Sequence, residues 1–246
     1  MKQAVITRLS SIARTMTTKS TQGLAGFSTC EISDALIKLG VPHGGHIPDI
    51  QMYSPETSSS DASTTRLCGP AYTVKMVLGT DTSAPKLQNH FVDTAPAGSV
   101  IFIEAPSFVK NAVWGGLMSA GAQARQALGV VISGRCRDLG EHRSLRFPVF
   151  ARGHSTLGQS PFTRPSEINV SLSIAAENAG DAFPSVTVNP GDWIVADEDG
   201  VVCVPVDLRD RVLELAAKGR EVDERCATDI KAGLGVQASF KKHRGK

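Results

Sequence analysis

The residue types best suited to binding and activating a small anion are concentrated in one stretch, NAVWGGLMSAGAQARQALGVVISGRCRDLGE, residues 111–141. Gly115-Gly116 precedes an Ala-rich run that reads as a helix. Glycines at a helix start let the backbone approach a ligand, and the first N–H groups there lack intrahelical partners. With the helix dipole they attract a carboxylate or phosphate, with Leu117 and Met118 supplying N–H groups. The same two glycines also suit close packing of a helix on a sheet. Next, GVVIS reads as a strand ending at Gly134, followed by Arg135, Arg137, Asp138 and Glu141. Ligands of open α/β sheets lie off the carboxyl ends of strands. There Arg137 offers a permanent cation, and Asp138 and Glu141 offer hard oxygens suited to Mg²⁺ or Mn²⁺. A surface ion-pair cluster is the alternative for the acids, and Arg135 reads as solvated or structural.

Other chemistries are poorly represented. The six histidines include no HExxH and no facial-triad spacing, and no GxSxG elbow supports a serine nucleophile. His142 adjoins Glu141 and either supports it or is a solvated loop residue. Asp197, Glu198 and Asp199 read as a turn between strands. The five cysteines are scattered with no CxxC, which fits a reducing compartment. A net charge of +2 with no aromatic-basic patch argues against direct nucleic-acid contact. No apolar run approaches the roughly 18 residues of a membrane span. Residues 1–26 read as an N-terminal extension whose Lys2, Arg8, Arg14 and Lys19 stand without an acid before Glu31. The cytoplasm is the default compartment, and the weak likeness of this segment to a mitochondrial presequence is the alternative.

The elements that must position these residues follow from patterning. Ser28-Thr29-Cys30-Glu31 has the form of a capping box ahead of Ile32, Ala35, Leu36 and Leu39, and Gly40 and Pro42 stop that helix. Residues 54–65 read as a polar surface loop. Strands are expected at 69–78, 98–105, 129–133, 148–151, 186–188, 190–197 and 200–206, with a helix at 117–128. Residues 155–185 read as loop excursions at the sheet margin. From Asp207 the pattern is helical until Gly233 and Gly235, leaving residues 241–246 as a basic tail. Alternating strands and helices with a β-rich second half predict a single layered α/β domain over 27–240.

Six blocks in this order carry a family resemblance: TCEISDAL (29–36), CGPAYTVKM (68–76), WGGLMS (114–119), SGRCRDLGE (133–141), PVFARG (148–153) and PGDWIVADEDGVVCVP (190–205). Together they resemble the family of 4-hydroxy-4-methyl-2-oxoglutarate aldolases and RraA-like regulators of ribonuclease activity, in wording similar to its fungal branch. The resemblance implies a swivelling β/β/α fold and homotrimers, or hexamers, with sites between subunits. It also implies Mg²⁺- or Mn²⁺-dependent class II pyruvate aldolase and oxaloacetate decarboxylase activity on 2-oxo acids. A ribonuclease-binding, non-catalytic role is the alternative within the same family. The family motif is Gly or Asp, twenty residues, Arg-Asp, and an acid three positions on in the Gly-bearing form. It falls on Gly116, Arg137-Asp138 and Glu141. The bacterial aldolases carry Asp where this chain has Gly116.

The mechanism expected from this resemblance places a 2-oxo acid on the N–H groups of the Gly115–Met118 helix start. Asp138 and Glu141 hold the metal, and Arg137 stabilises the enolate of pyruvate. No side chain stands out as base for the 4-hydroxyl proton, and a metal-ordered water is the expectation. The resemblance adds an acid from the neighbouring subunit, assigned to Glu224 with Glu221 next. A methyltransferase reading finds no glycine-rich nucleotide loop.

Overall fold

A computed structural model describes residues 23–55, 66–177 and 183–245. The basic N-terminal segment expected for residues 1–22 and most of the polar 54–65 loop lie outside these. A 3-10 turn at Leu24–Gly26 leads into α1 (Thr29–Lys38). Short β1 (His46–Ile47) and β2 (Gln51–Ser54) follow, then the long β3 (Leu67–Leu78), β4 (Val100–Glu104), β5 (Ala112–Trp114) and α2 (Gly116–Ala124). Next come β6 (Gly129–Cys136), α3 (Leu139–Leu145), β7 (Val149–His154), β8 (Thr163–Ile168), β9 (Leu172–Ile174) and β10 (Val186–Val188). The chain closes with β11 (Trp193–Asp197), β12 (Gly200–Val204), the 23-residue α4 (Arg209–Lys231) and α5 (Val236–Arg244).

The main sheet runs β1-β12-β11-β3-β4-β6-β7-β2, with β8 on β3 and β5 on β6. Its centre, β3-β4-β6-β7, is parallel, and its flanks are antiparallel. The hydrophobic runs VIFIE and GVVI explain this centre. Val100, Ile101, Phe102 and Ile103 are all fully buried, as parallel strands covered on both faces require. On one face Ile101, Ile103, Val130 and Ile132 pack with Trp114, Phe91 and Ala122 under α2 and α3. On the other, Phe102, Val131 and Phe150 meet the β9–β10 hairpin and β11–β12. A third cluster seats α1 and α4 on β11 and β12 through Leu24, Phe27, Ile32, Leu36, Val212 and Ala216.

The capping box forms: Glu31 N–H donates to Ser28 Oγ at 3.2 Å, and Ser28 N–H donates to Glu31 Oε2 at 2.8 Å. Gly40 adopts φ +85 and ends the helix, as its place after Leu39 predicts. Three expectations change. The 155–185 segment is not all loop, because Thr163–Ile168 pairs antiparallel with β3, and Leu172–Ile174 with Val186–Val188. Residues 241–244 form the last turn of α5 rather than a loose tail. Leu24, placed in the extension by sequence, is 2% exposed and belongs to the core.

Candidate active site

Gly115 caps α2 with φ −137 and ψ −177, an extended backbone open to any residue. Its glycine is required by space, since a Cβ there would lie 2.6 Å from Asp138 Oδ2 and 3.3 Å from Arg137 Nε. Gly116 is tighter still: a Cβ would lie 1.7 Å from Glu141 Oε2 and 2.7 Å from Glu141 Cβ. The Glu141 side chain therefore fills the place into which an Asp at 116 would project. A side chain at 116 and Glu141 as placed here cannot share that space.

β6 continues through Gly134 and Arg135 to Cys136, three residues beyond the expected 129–133, because Arg135 and Cys136 pair with both β5 and β7. Arg137 N–H then donates to Trp114 O at 2.9 Å, which fixes the arginine's backbone beside the Gly115 turn. Asp138 sits in the left-handed region at φ 62, ψ 44, a conformation Asp tolerates better than most residues. It accepts the Gly116 N–H at 3.0 Å through Oδ2. The same oxygen is 3.6 Å from Arg137 Nε, with the two side chains 36% and 45% exposed. Glu141, in the first turn of α3, is exposed, and its carboxylate has no hydrogen bond among the described residues.

Arg137, Asp138 and Glu141 thus converge on the Gly115–Gly116 helix start. The N–H groups there differ in availability. That of Gly116 is taken by Asp138 and that of Met118 by Gly115 O at 3.0 Å, so Leu117 offers the open donor. Glu224 is not brought to this place. It lies on α4 and lines an open groove with Glu221, Arg225, Thr228, Asp229 and His243. Arg135 donates to His154 O at 3.2 Å, the structural role expected of it.

His142 is the clearest correction. It is fully buried rather than solvated, and its Nδ1 lies 2.9 Å from Ser119 Oγ, which accepts the Trp114 indole N–H at 2.8 Å. Burial is the largest influence and lowers the His142 pKa, only partly opposed by the Arg137 carbonyl, Asp138 and Glu141. The ring is a neutral strut between α2 and α3. Cys136, buried behind Arg137, has its thiol pushed up to about 12 by burial and is no nucleophile. Asp197 is also structural: its Oδ2 and Oδ1 accept the Thr29 N–H and Oγ–H at 2.9 and 2.6 Å, so it anchors the start of α1.

The two carboxylates fit a hard divalent ion. Both supply oxygen, both are partly open to solvent, and they lie within reach of one helix start. Among the described residues no group of three or more His, Cys, Asp or Glu side chains could hold a metal. An ion here must complete its shell with water and ligand oxygens, which is how Mg²⁺ and Mn²⁺ sites with few carboxylates are built.

The site thus sets an Arg-Asp pair beyond a parallel strand, opposite a glycine helix start. Comparison with known proteins places the chain in a family. Residues 29–203 match the RraA-like family, described as Aldolase/RraA, and the chain belongs to that family. It is 31% identical over 219 residues to protein DlpA of Legionella pneumophila, covering 88% of this chain but 32% of that protein, so it spans about a third of DlpA's length. It is 32% identical over 159 residues to a Halalkalibacterium halodurans protein provisionally named 4-hydroxy-4-methyl-2-oxoglutarate aldolase, covering 65% of this chain and 69% of that one. A crystal structure of an uncharacterised Pseudomonas syringae pv. tomato protein superposes with TM-score 0.69 at 28% identity, over 87% of this chain and 92% of that one. No helix among the described residues is long and apolar enough to cross a membrane.

Proposed function

We propose that the chain is a divalent-metal-dependent lyase that releases pyruvate. Its substrates are 4-hydroxy-4-methyl-2-oxoglutarate, 4-carboxy-4-hydroxy-2-oxoadipate and, by decarboxylation, oxaloacetate. The observation that carries this reading is the convergence of the Arg137 guanidinium and the Asp138 and Glu141 carboxylates on the Gly115–Gly116 helix start.

The substrate carboxylate binds the Leu117 N–H at the positive end of α2. Asp138 and Glu141 would hold Mg²⁺ or Mn²⁺, which would supply Lewis-acid polarisation of the keto group. The Gly116 N–H orients the Asp138 carboxylate. Arg137 faces the keto oxygen and stabilises the negative charge that develops there as the C3–C4 bond breaks, whether the departing group is a carbonyl compound or CO₂. Decarboxylation needs no base. The aldol cleavage does, and among the described residues the carboxylates beside Arg137 are the two assigned to the metal. Glu224 of a neighbouring subunit in a trimer or hexamer is the assignment for it. With Gly at 116 the site keeps a second carboxylate, because Glu141 occupies the space beside it.

The test is a pyruvate-release assay on the purified protein with the three 2-oxo acids, with and without Mn²⁺. Mn²⁺-dependent release that EDTA abolishes is expected. Silence with all three acids in Mn²⁺ overturns the lyase reading, and EDTA insensitivity overturns the metal.

A further inference from the structure

We propose that Gly158 is a positioning residue for Arg137: it forms the second wall of a glycine-lined slot that fixes the guanidinium over the helix start. Gly115 is the first wall. A Cβ at Gly158 would lie 2.7 Å from Arg137 Nη1, 3.2 Å from Cζ and 3.5 Å from Nη2, so the residue lies against the guanidinium itself. Its φ does not fall in the left-handed region, in contrast to Gly40, where the backbone demands glycine. Alanine is therefore conformationally acceptable at 158, and the Arg137 head group is what it would displace.

The loop bearing Gly158 is built to hold that wall still. Ser155 N–H donates to Cys136 O at 2.9 Å, and Leu157 O accepts the Ala112 N–H at 2.9 Å. Ser155 Oγ accepts the Leu157 N–H at 3.1 Å, closing the turn before the glycine. Arg137 is tied to the same short strand, its N–H on Trp114 O. Wall and arginine therefore hang on β5, at Ala112 and Trp114, and share one frame. A side chain that is 45% exposed and only 3.6 Å from its nearest carboxylate has little else to define its head group. The slot removes rotamers from a long side chain before substrate arrives, which is the pre-organisation that electrostatic stabilisation requires.

The inference rests on the lyase reading for its kinetic consequence but not for its geometry, so the experiment has two arms. In the first, Gly158→Ala, Arg137→Ala and the double variant are assayed for oxaloacetate decarboxylation with Mn²⁺. Gly158→Ala alone is expected to lower kcat about tenfold to 10²-fold, the cost of roughly 1 Å of misplacement, with little change in KM or melting temperature. In the Arg137→Ala background it should cost nothing further. Wild-type turnover in Gly158→Ala, or an equal loss in both backgrounds, overturns the proposal. In the second arm, crystal structures of the wild-type protein and Gly158→Ala are compared at Arg137. A displaced or disordered guanidinium in the variant supports the slot, and an unmoved one overturns it. This arm reads the same way if the wild-type protein releases no pyruvate, in which case only the lyase reading falls.

Discussion

Asp197 closes β11 beside the start of α1, Asp138 follows β6 by two residues at the start of α3, and the two are held in opposite ways. Asp197 is 3% exposed. Its two oxygens accept the Thr29 N–H, the Thr29 hydroxyl and, at 3.1 Å, the Asp199 N–H, with Arg66 Nε 3.9 Å away. Asp138 is 36% exposed at the side chain, accepts one N–H from Gly116, and adopts a left-handed backbone that costs of order 1 kcal/mol. A buried carboxylate that accepts three hydrogen bonds holds the fold together. One with lone pairs left open, kept in an unfavourable conformation, can take a cation. The chemistry proposed for this chain is placed where hydrogen bonding is incomplete.

The largest test of that contrast removes charge on each side of it. Arg137→Ala should lower pyruvate release by about 10²-fold or more while the protein melts as before. Asp197→Asn should do the reverse, lowering stability by about 2 kcal/mol in urea titrations through its lost charge-assisted bonds, with turnover of the folded fraction unchanged. A dead but stable Asp197→Asn protein, or an unstable Arg137→Ala, erases the distinction. A somewhat smaller effect concerns the exchanged carboxylate. Gly116→Asp alone drives a side chain into Glu141 and should reduce activity at least tenfold. Adding Glu141→Ala vacates the space and should restore much of it, a coupling expected only of residues in contact. Additive losses in the double variant would show that the two positions do not share one site.

Much of this was legible in the residues. The Ser28–Glu31 capping box, the stop at Gly40 and the apolar strands around 69–78, 98–105 and 129–133 follow from local rules, and the structure has each of them. The halves of the candidate site, Gly115-Gly116 and Arg137-Asp138-Glu141, drew attention because a helix start and a strand end each leave a local signature. What could not be read were the relations across the fold. Nothing in the spacing says that Glu141 lies against Gly116, since that depends on how α3 docks on α2. His142 gave no sign of burial, because its partners Ser119 and Trp114 sit on a different helix and strand. Gly158 stood in a segment read as a margin loop, and a glycine kept for a distant arginine's sake has no local pattern at all. β8 was missed for a similar reason: TRPSEI carries Pro, Arg and Glu, and only the β3 edge makes it a strand.

The smallest predicted effect separates charge from capping on the structural side of the comparison. Arg220 grips Glu31 through two bonds, Nε to Oε1 and Nη2 to Oε2, both 2.6 Å, and stacks over the Phe27 ring at 4.3 Å. The arginine's hydrogen bonds are the main reason the Glu31 carboxyl titrates below its ordinary 4.5, with burial opposing and the Ser28 N–H assisting. A depressed folded pKa means that the ion pair stabilises the protein at neutral pH and down to the ordinary carboxylate value. That contribution is lost as the pH falls from about 4.5 through the folded value, while Arg220 stays protonated. The side chains are 30% and 25% exposed, so solvent screening holds the pair to about 1 kcal/mol or less. Glu31→Gln keeps a capping-box residue and removes only the charge. Its stability should therefore lie slightly below wild type at pH 7, and the two curves should converge as the solution is made acid. If Glu31→Gln loses stability with acid as steeply as the wild type, the acid sensitivity belongs to other carboxylates. The α1–α4 corner would then owe its strength to the Phe27, Ile32 and Val212 packing alone.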